Sequence, residues 1–204
     1  MSFLEVCRCV DSSIKSINGK PLLGTAFTLH VPSGDNLLLH KTFEIAKKGD
    51  VIVISTGGME RAFMGELMML CAKNLGYAGV VIDGCVRDVE EITKIDFPVF
   101  AKGVTPQGPY KFGPGEMNVP ISFGGQVVFP GDIVVGDSDG LIFIRPSEAA
   151  ELAKRVVAQK EKEEKLRECY LSGETCPSYS PELQEKQLKE LNCQVIDDYW
   201  ERGE

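Results

Sequence analysis

Two short segments carry the groups best suited to bind a small organic acid and a metal ion. Residues 65–68, Gly-Glu-Leu-Met, stand where a turn leads into a helix, and backbone N–H groups at a helix start can bind a carboxylate. The second segment is the pair Arg87-Asp88. Arginine offers a planar fork for a carboxylate or a developing enolate oxygen, and aspartate offers the hard oxygen that magnesium or manganese prefers. These residue types indicate metal-assisted chemistry on an organic acid.

Apolar runs that alternate with helical patterns predict how the two segments are positioned. Strands are predicted at 22–30, 50–55, 79–83 and 99–103, and helices at 36–48 and 64–75, with a short helix ending at residue 95. This β-α-β-α-β order predicts an α/β protein with a parallel sheet covered by helices. Because parallel strands end at one edge of the sheet, both segments should line one crevice there.

The second half of the chain changes character. Proline- and glycine-rich segments and short β runs at 127–129, 132–135 and 141–144 predict an antiparallel section. Ser147 is predicted to cap a charged helix over 149–166, and a linker at 172–179 leads to an amphipathic stretch at 181–200. The predicted organisation is one domain over 1–170 and a helical tail over 171–204.

Composition excludes several classes of function. With a net charge of −8 and a pI near 5.0, the 204-residue chain should not bind nucleic acid directly. No apolar run approaches the ~20 residues needed to cross a membrane, so a cytoplasmic protein is expected. Seven cysteines without a CxxC pair, and only two histidines, favour reduced thiols over a disulfide framework or a zinc site.

The spacing between the two segments resembles that of a known family. Twenty residues separate Glu66, in the motif Gly65-Glu-Leu, from the pair Arg87-Asp88. This pair ends the segment Gly-Tyr-Ala-Gly-Val-Val-Ile-Asp-Gly-Cys-Val-Arg-Asp. This pattern resembles the RraA-like proteins, which include 4-hydroxy-4-methyl-2-oxoglutarate/4-carboxy-4-hydroxy-2-oxoadipate aldolases and regulators of ribonuclease E activity. The resemblance runs from about Leu23 to Arg155 and includes Phe97-Pro-Val-Phe and Gly136-Asp-Ser-Asp-Gly140.

The resemblance implies a fold, an assembly and a reaction. The fold would be a swivelling β/β/α domain of the phosphohistidine-domain type with a C-terminal helical extension. The assembly would be a homotrimer or a hexamer, with the active site at a subunit interface. The reaction would be retro-aldol cleavage of a small anionic 2-oxo acid to pyruvate, with oxaloacetate decarboxylation through the same enolate, and Mg²⁺ or Mn²⁺ as the cofactor.

The resemblance also assigns roles by position. The backbone amides of Gly65, Glu66, Leu67 and Met68 would hold the pyruvyl carboxylate. Arg87 would contact the substrate carbonyl or carboxylate, Asp88 would bind the metal, and Glu66 would orient the water that moves protons. Many family members carry Asp where this chain has Glu66. A neighbouring subunit would contribute one further acid, for which this chain offers four alternatives: Glu161, Glu163, Glu164 and Glu168.

Each assignment has a structural alternative. Asp88 with Glu91 three residues later is an ordinary helix cap, Arg87 is suited to a surface salt bridge, and Glu66 is favoured by the dipole of the helix that it begins. For the whole protein, the alternative function is a non-catalytic regulator that binds and inhibits a ribonuclease or another protein. A methyltransferase is not indicated, because no GxGxxG loop follows a strand.

Overall fold

The computed structural model describes residues 8–57, 61–173 and 180–193 of the chain. The first part of the chain contains β1 (Arg8–Cys9), β2 (Lys15–Ser16), β3 (Leu22–His30), α1 (Leu37–Ile45), β4 (Asp50–Ser55), β5 (Ala62–Met64), α2 (Glu66–Asn74), β6 (Gly79–Val86), α3 (Val89–Ile92) and β7 (Val99–Val104). The rest contains β8 (Glu116–Met117), β9 (Ile121–Phe123), β10 (Gln126–Val128), β11 (Ile133–Gly136), β12 (Leu141–Ile144), α4 (Pro146–Ser172) and α5 (Pro181–Glu190).

A mixed sheet forms the centre of the fold. Its strand order is β1-β12-β11-β3-β4-β6-β7-β2, with β5 added beside β6 and β8 beside β3. Strands β3, β4, β6 and β7 are parallel, whereas β11, β12, β1 and β2 join them antiparallel. Both the α/β class and the parallel centre predicted from the sequence are confirmed.

The parallel strands are buried on both faces. On one face, side chains from the three helices, including Leu39, Met69 and Ile92, complete a helix-side core. On the other face, the β9–β10 hairpin completes a hairpin-side core, in which Phe123 and Phe143 pack edge to face with ring centroids 5.8 Å apart. This double coverage explains the unbroken apolar run at residues 51–54, all fully buried.

Several boundaries differ from the sequence prediction, most of them by one to three residues. The α4 helix begins at Pro146, whose fixed φ suits a first helical position, so Ser147 lies within the first turn and its prediction as the cap is wrong. Strand β6 continues past Asp83 to Val86, because it gains β5 as a second neighbour there. The predicted run at 127–129 is instead the strand Gln126–Val128.

The C-terminal region is helical and exposed. Contacts between residues group the chain into two compact units, one ending at Leu152 and the other starting at Ala153. The domain boundary predicted at residue 170 stays a prediction. In the second unit, Ser180 caps α5 by accepting the Leu183 N–H at 3.3 Å. Most of the predicted linker (174–179) and residues 194–200 of the predicted final stretch lie outside the described residues. No helix in the described ranges is long and apolar enough to span a membrane.

Asp35 attaches the loop after β7 to the start of α1. Its carboxylate accepts the N–H of Leu37 at 2.9 Å, of Phe112 at 2.5 Å and of Gly113 at 2.8 Å, and the residue is 4% exposed. Burial by itself would raise the pKa of Asp35, but the three N–H donors together outweigh it and hold the pKa below its ordinary value. The charged form of Asp35 therefore stabilises the fold.

The Asp35→Asn variant should lower the free energy of unfolding by about 1–3 kcal/mol. The reason is that the amide NH₂ group would replace one carboxylate oxygen and cannot accept the hydrogen bonds that the backbone N–H groups donate to it. Urea unfolding at pH 7 measures this change. Asp11→Asn is the control, because Asp11 accepts the Ser13 N–H at an exposed turn and should matter less.

The effect of Asp35 should also depend on pH. Its folded-state pKa lies below the unfolded value of about 3.9, so its stabilisation is complete above the unfolded pKa and is lost as pH falls through the folded one. The difference between wild type and Asp35→Asn should therefore shrink in acid. A difference that stays constant into the acid transition would contradict a role for the charge.

Candidate functional site

The two predicted segments meet at the carboxyl edge of the parallel strands. Gly65 is the N-cap of α2 with an extended backbone (φ −128°, ψ −171°), and no side chain of its own caps the helix. The Glu66 N–H instead donates to Asp88 Oδ2 at 3.1 Å. A carboxylate from the end of β6 therefore lies at the positive end of the α2 dipole.

Asp88 has an unusual backbone that explains where its side chain points. Its φ of 60° and ψ of 40° are left-handed, a conformation that non-glycine residues rarely adopt outside turns and functional sites. Although Asp88 is the N-cap residue of α3, its side chain makes no capping hydrogen bond there. The structural alternative, in which Asp88 caps α3 with Glu91, is not observed, because the carboxylate is turned towards α2.

Gly65 makes this approach sterically possible. A Cβ at this position would stand 2.2 Å from Asp88 Oδ2 and 2.9 Å from Arg87 Nε. Since φ at Gly65 is one that any residue adopts, the requirement is for space rather than for backbone freedom. The glycine thus allows both side chains to reach the start of α2.

Arg87 lies beside Asp88 with its backbone fixed and its side chain half exposed. Its N–H donates to Met64 O at 3.0 Å, and its Nε is 3.6 Å from Asp88 Oδ2. With side-chain exposures of 46% and 43%, this ion pair contributes little to stability. The salt bridge suggested as an alternative role for Arg87 is therefore made within the site itself, and the guanidinium still faces solvent.

Two open grooves meet at Asp88. One, with a volume of about 540 Å³, is lined by Glu66, Leu67, Asp88, Val89, Glu90 and Glu91. The other, of about 310 Å³, is lined by Arg87, Asp88, Val104, Thr105 and Pro106. The side chain of Met68 is partly buried against the helix-side core, so Met68 can serve the site through its backbone N–H, as predicted, but not through its side chain.

Two residues that line the larger groove, Glu90 and Glu91, were not among the predicted site residues. Their place directly after Asp88 could have indicated them.

A second missed feature is the loop that backs Arg87. Arg61 stacks 3.9 Å over the Tyr110 ring and donates to Gly108 O and Tyr110 Oη, each at 2.7 Å. A Cβ on Gly108 would stand 3.1 Å from Arg87 Nη1, so this loop borders the guanidinium directly. No sequence pattern pointed to Arg61, because its partners lie more than forty residues away.

The donor set fits a hard cation held mainly by water. Glu66 and Asp88 provide carboxylate oxygens, and in the described parts of the chain no group of three or more His, Cys, Asp or Glu could hold a metal ion. Magnesium and manganese accept one or two protein carboxylates with water completing the shell, whereas structural zinc takes four nitrogen or sulfur ligands. The residues present thus fit Mg²⁺ or Mn²⁺. The four candidate acids for a neighbouring subunit lie exposed on α4, and they stay alternatives.

The amino-acid sequence of this chain is similar to those of known proteins. The family model described as RraA-like, Aldolase/RraA, matches residues 2–143. A Halalkalibacterium halodurans protein, provisionally named a 4-hydroxy-4-methyl-2-oxoglutarate aldolase, is 40% identical over 165 residues, which cover 80% of this chain and 78% of that protein.

Solved structures extend the match to the fold. An RNA-processing inhibitor RraA from a Thermus species is 33% identical over 68% of this chain and 85% of its own, with a TM-score of 0.64. A Geobacillus kaustophilus structure named as an S-adenosylmethionine:2-dimethylmenaquinone methyltransferase is 32% identical over 70% of this chain and 89% of its own, with a TM-score of 0.66. With a model that matches most of its length and a relative at 40% identity, this chain belongs to the RraA-like family.

Proposed function

We propose that the protein is a divalent-metal-dependent aldolase that cleaves 2-oxo acids of the 4-hydroxy-4-methyl-2-oxoglutarate type to pyruvate. The same chemistry would decarboxylate oxaloacetate. The observation that carries the proposal is the convergence of the Arg87 guanidinium, the Asp88 carboxylate and the start of α2 where the two grooves meet. The aldolase name of the Halalkalibacterium relative supports it.

Substrate binding would use the start of α2. The first N–H groups of a helix have no carbonyl partner within that helix, so those of Leu67 and Met68 are free to donate hydrogen bonds to the pyruvyl carboxylate beside Asp88. Arg87 would then face the 2-oxo oxygen. If the second N–H of the guanidinium fork also donates to a carboxylate oxygen of the substrate, two parallel hydrogen bonds to two oxygens would orient the substrate.

Bond cleavage leaves an enolate whose negative charge must be stabilised. In the retro-aldol direction, the 4-hydroxyl group loses its proton and its oxygen forms a carbonyl with C4, so the C3–C4 bond breaks and the C4 fragment leaves as one 2-oxo acid. The electron pair of the broken bond forms the enolate of the other fragment, which is then protonated at C3 to give pyruvate. The fixed positive charge of Arg87 would stabilise the enolate oxygen in the transition state. A bound Mg²⁺ or Mn²⁺ would supply further positive charge to the pyruvyl oxygens.

Glu66 and Asp88 would divide the remaining work. Asp88 is the better metal-binding candidate, because its carboxylate lies between the two grooves. Glu66 lines the larger groove and would orient the water that moves protons to and from the substrate. Its position in the first turn of α2 also stabilises the helix, so the two roles are compatible.

The proposal includes an assembly. Leu67 and Val104, which flank the two grooves, are 76% and 57% exposed. Apolar side chains at the edge of a polar groove suit a subunit interface, which supports a homotrimer or hexamer with the site closed by a neighbour. The swivelling β/β/α assignment of the fold stays a prediction.

A second candidate function is inhibition of a ribonuclease or another protein. The likeness to the Thermus inhibitor favours it, as does the net charge of −8, which suits a basic partner. A pure binding protein, however, has no need for Arg87 and Asp88 around one groove. The aldolase is therefore the leading proposal.

The deciding experiment is pyruvate release from oxaloacetate and from 4-hydroxy-4-methyl-2-oxoglutarate, coupled to lactate dehydrogenase. With Mg²⁺ or Mn²⁺, the protein should release pyruvate well above the rate of the metal ion alone, and EDTA should abolish this release. If folded protein releases none from either substrate, the aldolase proposal fails and the inhibitor becomes the leading function.

Asp88→Ala should reduce the metal-dependent rate by at least about 100-fold and weaken Mn²⁺ binding, measured by titration calorimetry, because the nearest metal ligand is lost. Asp96→Ala is the matched control, since Asp96 is an exposed carboxylate paired with Lys20. Full activity of Asp88→Ala with saturating metal would remove Asp88 from the mechanism.

Gly65→Ala should lower kcat by about 10- to 100-fold while changing the melting temperature little. The added Cβ would displace the ends of two half-exposed side chains, Asp88 and Arg87, rather than any backbone. Steady-state kinetics and thermal unfolding of the same preparation separate the two effects. Unchanged kinetics would mean that the approach of Asp88 to α2 is unimportant.

A further inference from the structure

Strand β6 contains an extra residue just before the candidate site. Ile82 pairs with Ala101 and Cys85 pairs with Gly103, so β6 advances three residues while β7 advances two. Such a bulge bends the strand and re-aims the residues beyond it. The extra residue corresponds to about 3.3 Å of strand, and it lies within five residues of Arg87.

Groups from both neighbouring strands hold this bulge. From the residue after β4, Thr56 Oγ1 donates to Asp83 O at 2.6 Å, and from β7, Lys102 Nζ pairs with Asp83 Oδ1 at 2.7 Å. Thr56 is 2% exposed, and the Asp83 side chain is 13% exposed. Gly84 completes the contact, because a Cβ there would stand 2.6 Å from Thr56 Oγ1.

The chain beyond the bulge is firmly attached to its neighbours. Val86 pairs with Val104 and with Met64, and the Arg87 N–H donates to Met64 O at 3.0 Å. If β6 lost the extra residue, its end would move by about 3.3 Å relative to β7. Displacements of about 1 Å already impair a catalytic arrangement. The bulge therefore determines whether Arg87 and Asp88 meet the start of α2.

We infer that Thr56 and Lys102 are positioning residues that hold the β6 bulge and thereby place Arg87 and Asp88 at the N-terminus of α2. Their importance for turnover rests on the proposed aldolase function, whereas their effect on geometry does not. Lys102 also neutralises the Asp83 carboxylate, whose side chain is only 13% exposed, so the pair contributes to stability as well as to placement. Comparing exchange at Glu66 with exchange at Leu75 separates these two contributions.

The test uses Lys102→Met and Thr56→Val, which remove one contact to the bulge each and keep the side-chain size. Lys102→Arg retains the cation, and Lys20→Met removes a comparable lysine from the exposed pair with Asp96. Two quantities are measured in the full-length protein: kcat and KM for pyruvate release, and amide hydrogen exchange at Glu66 and Leu75. Glu66 N–H reports on Asp88, its acceptor, whereas Leu75 N–H donates to Cys71 O at the far end of α2.

Lys102→Met and Thr56→Val should each lower kcat by about 10- to 100-fold and raise exchange at Glu66 at least about tenfold, with Leu75 unchanged. Lys102→Arg should recover most of the rate, and Lys20→Met should match wild type. The inference is overturned if exchange at Glu66 stays within about twofold of wild type, or if it rises equally at Leu75, since that would be general loosening. Should wild type release no pyruvate, the aldolase proposal fails, and exchange still decides the placement.

Discussion

Burial of the parallel strands on both faces is the constraint on which the rest of the structure depends. With helices on one face and the β9–β10 hairpin on the other, residues 51–54 of β4 and 80–82 of β6 carry only apolar side chains. Beyond these buried runs, polar groups follow at the carboxyl side, at Ser55, Thr56 and Asp83. The carboxyl edge of the sheet is therefore the place where this chain can bring reactive groups together without burying them unpaired.

The edge combines rigid and exposed parts in a way that suits a binding site. A backbone hydrogen bond from Arg87 to Met64 attaches Arg87 to β5, and Asp35 and Arg61 fix the loop that borders it. The ends of the Arg87 and Asp88 side chains nevertheless stay almost half exposed. Rigid supports with solvent-facing charged ends are what a preorganised site for a small anion requires.

The sequence predicted the elements that rest on periodicity, and missed what depends on contacts between distant residues. Strands β3, β4 and β12 have the predicted limits, because apolar runs with turn residues at their ends leave little choice. The meeting of residues 65–68 with Arg87 and Asp88 followed from parallel topology and from the family resemblance. The left-handed Asp88 and the Arg61–Tyr110 stack could not be predicted, because a backbone torsion and a cation–π contact leave no mark on sequence spacing.

Charge balance at the groove argues for a cation in the proposed chemistry. The groove beside α2 is lined by four acidic residues, Glu66, Asp88, Glu90 and Glu91. Arg87 lines the adjacent groove instead. Lys94, which lines neither groove, forms an ion pair with Glu91. A 2-oxo diacid carries two further negative charges, which the carboxylates around this open groove would repel. The positive end of α2 offsets only about half a charge. In the proposed chemistry, a divalent cation beside Asp88 would offset two of the four carboxylate charges, which would make the acidic groove compatible with a small anionic substrate.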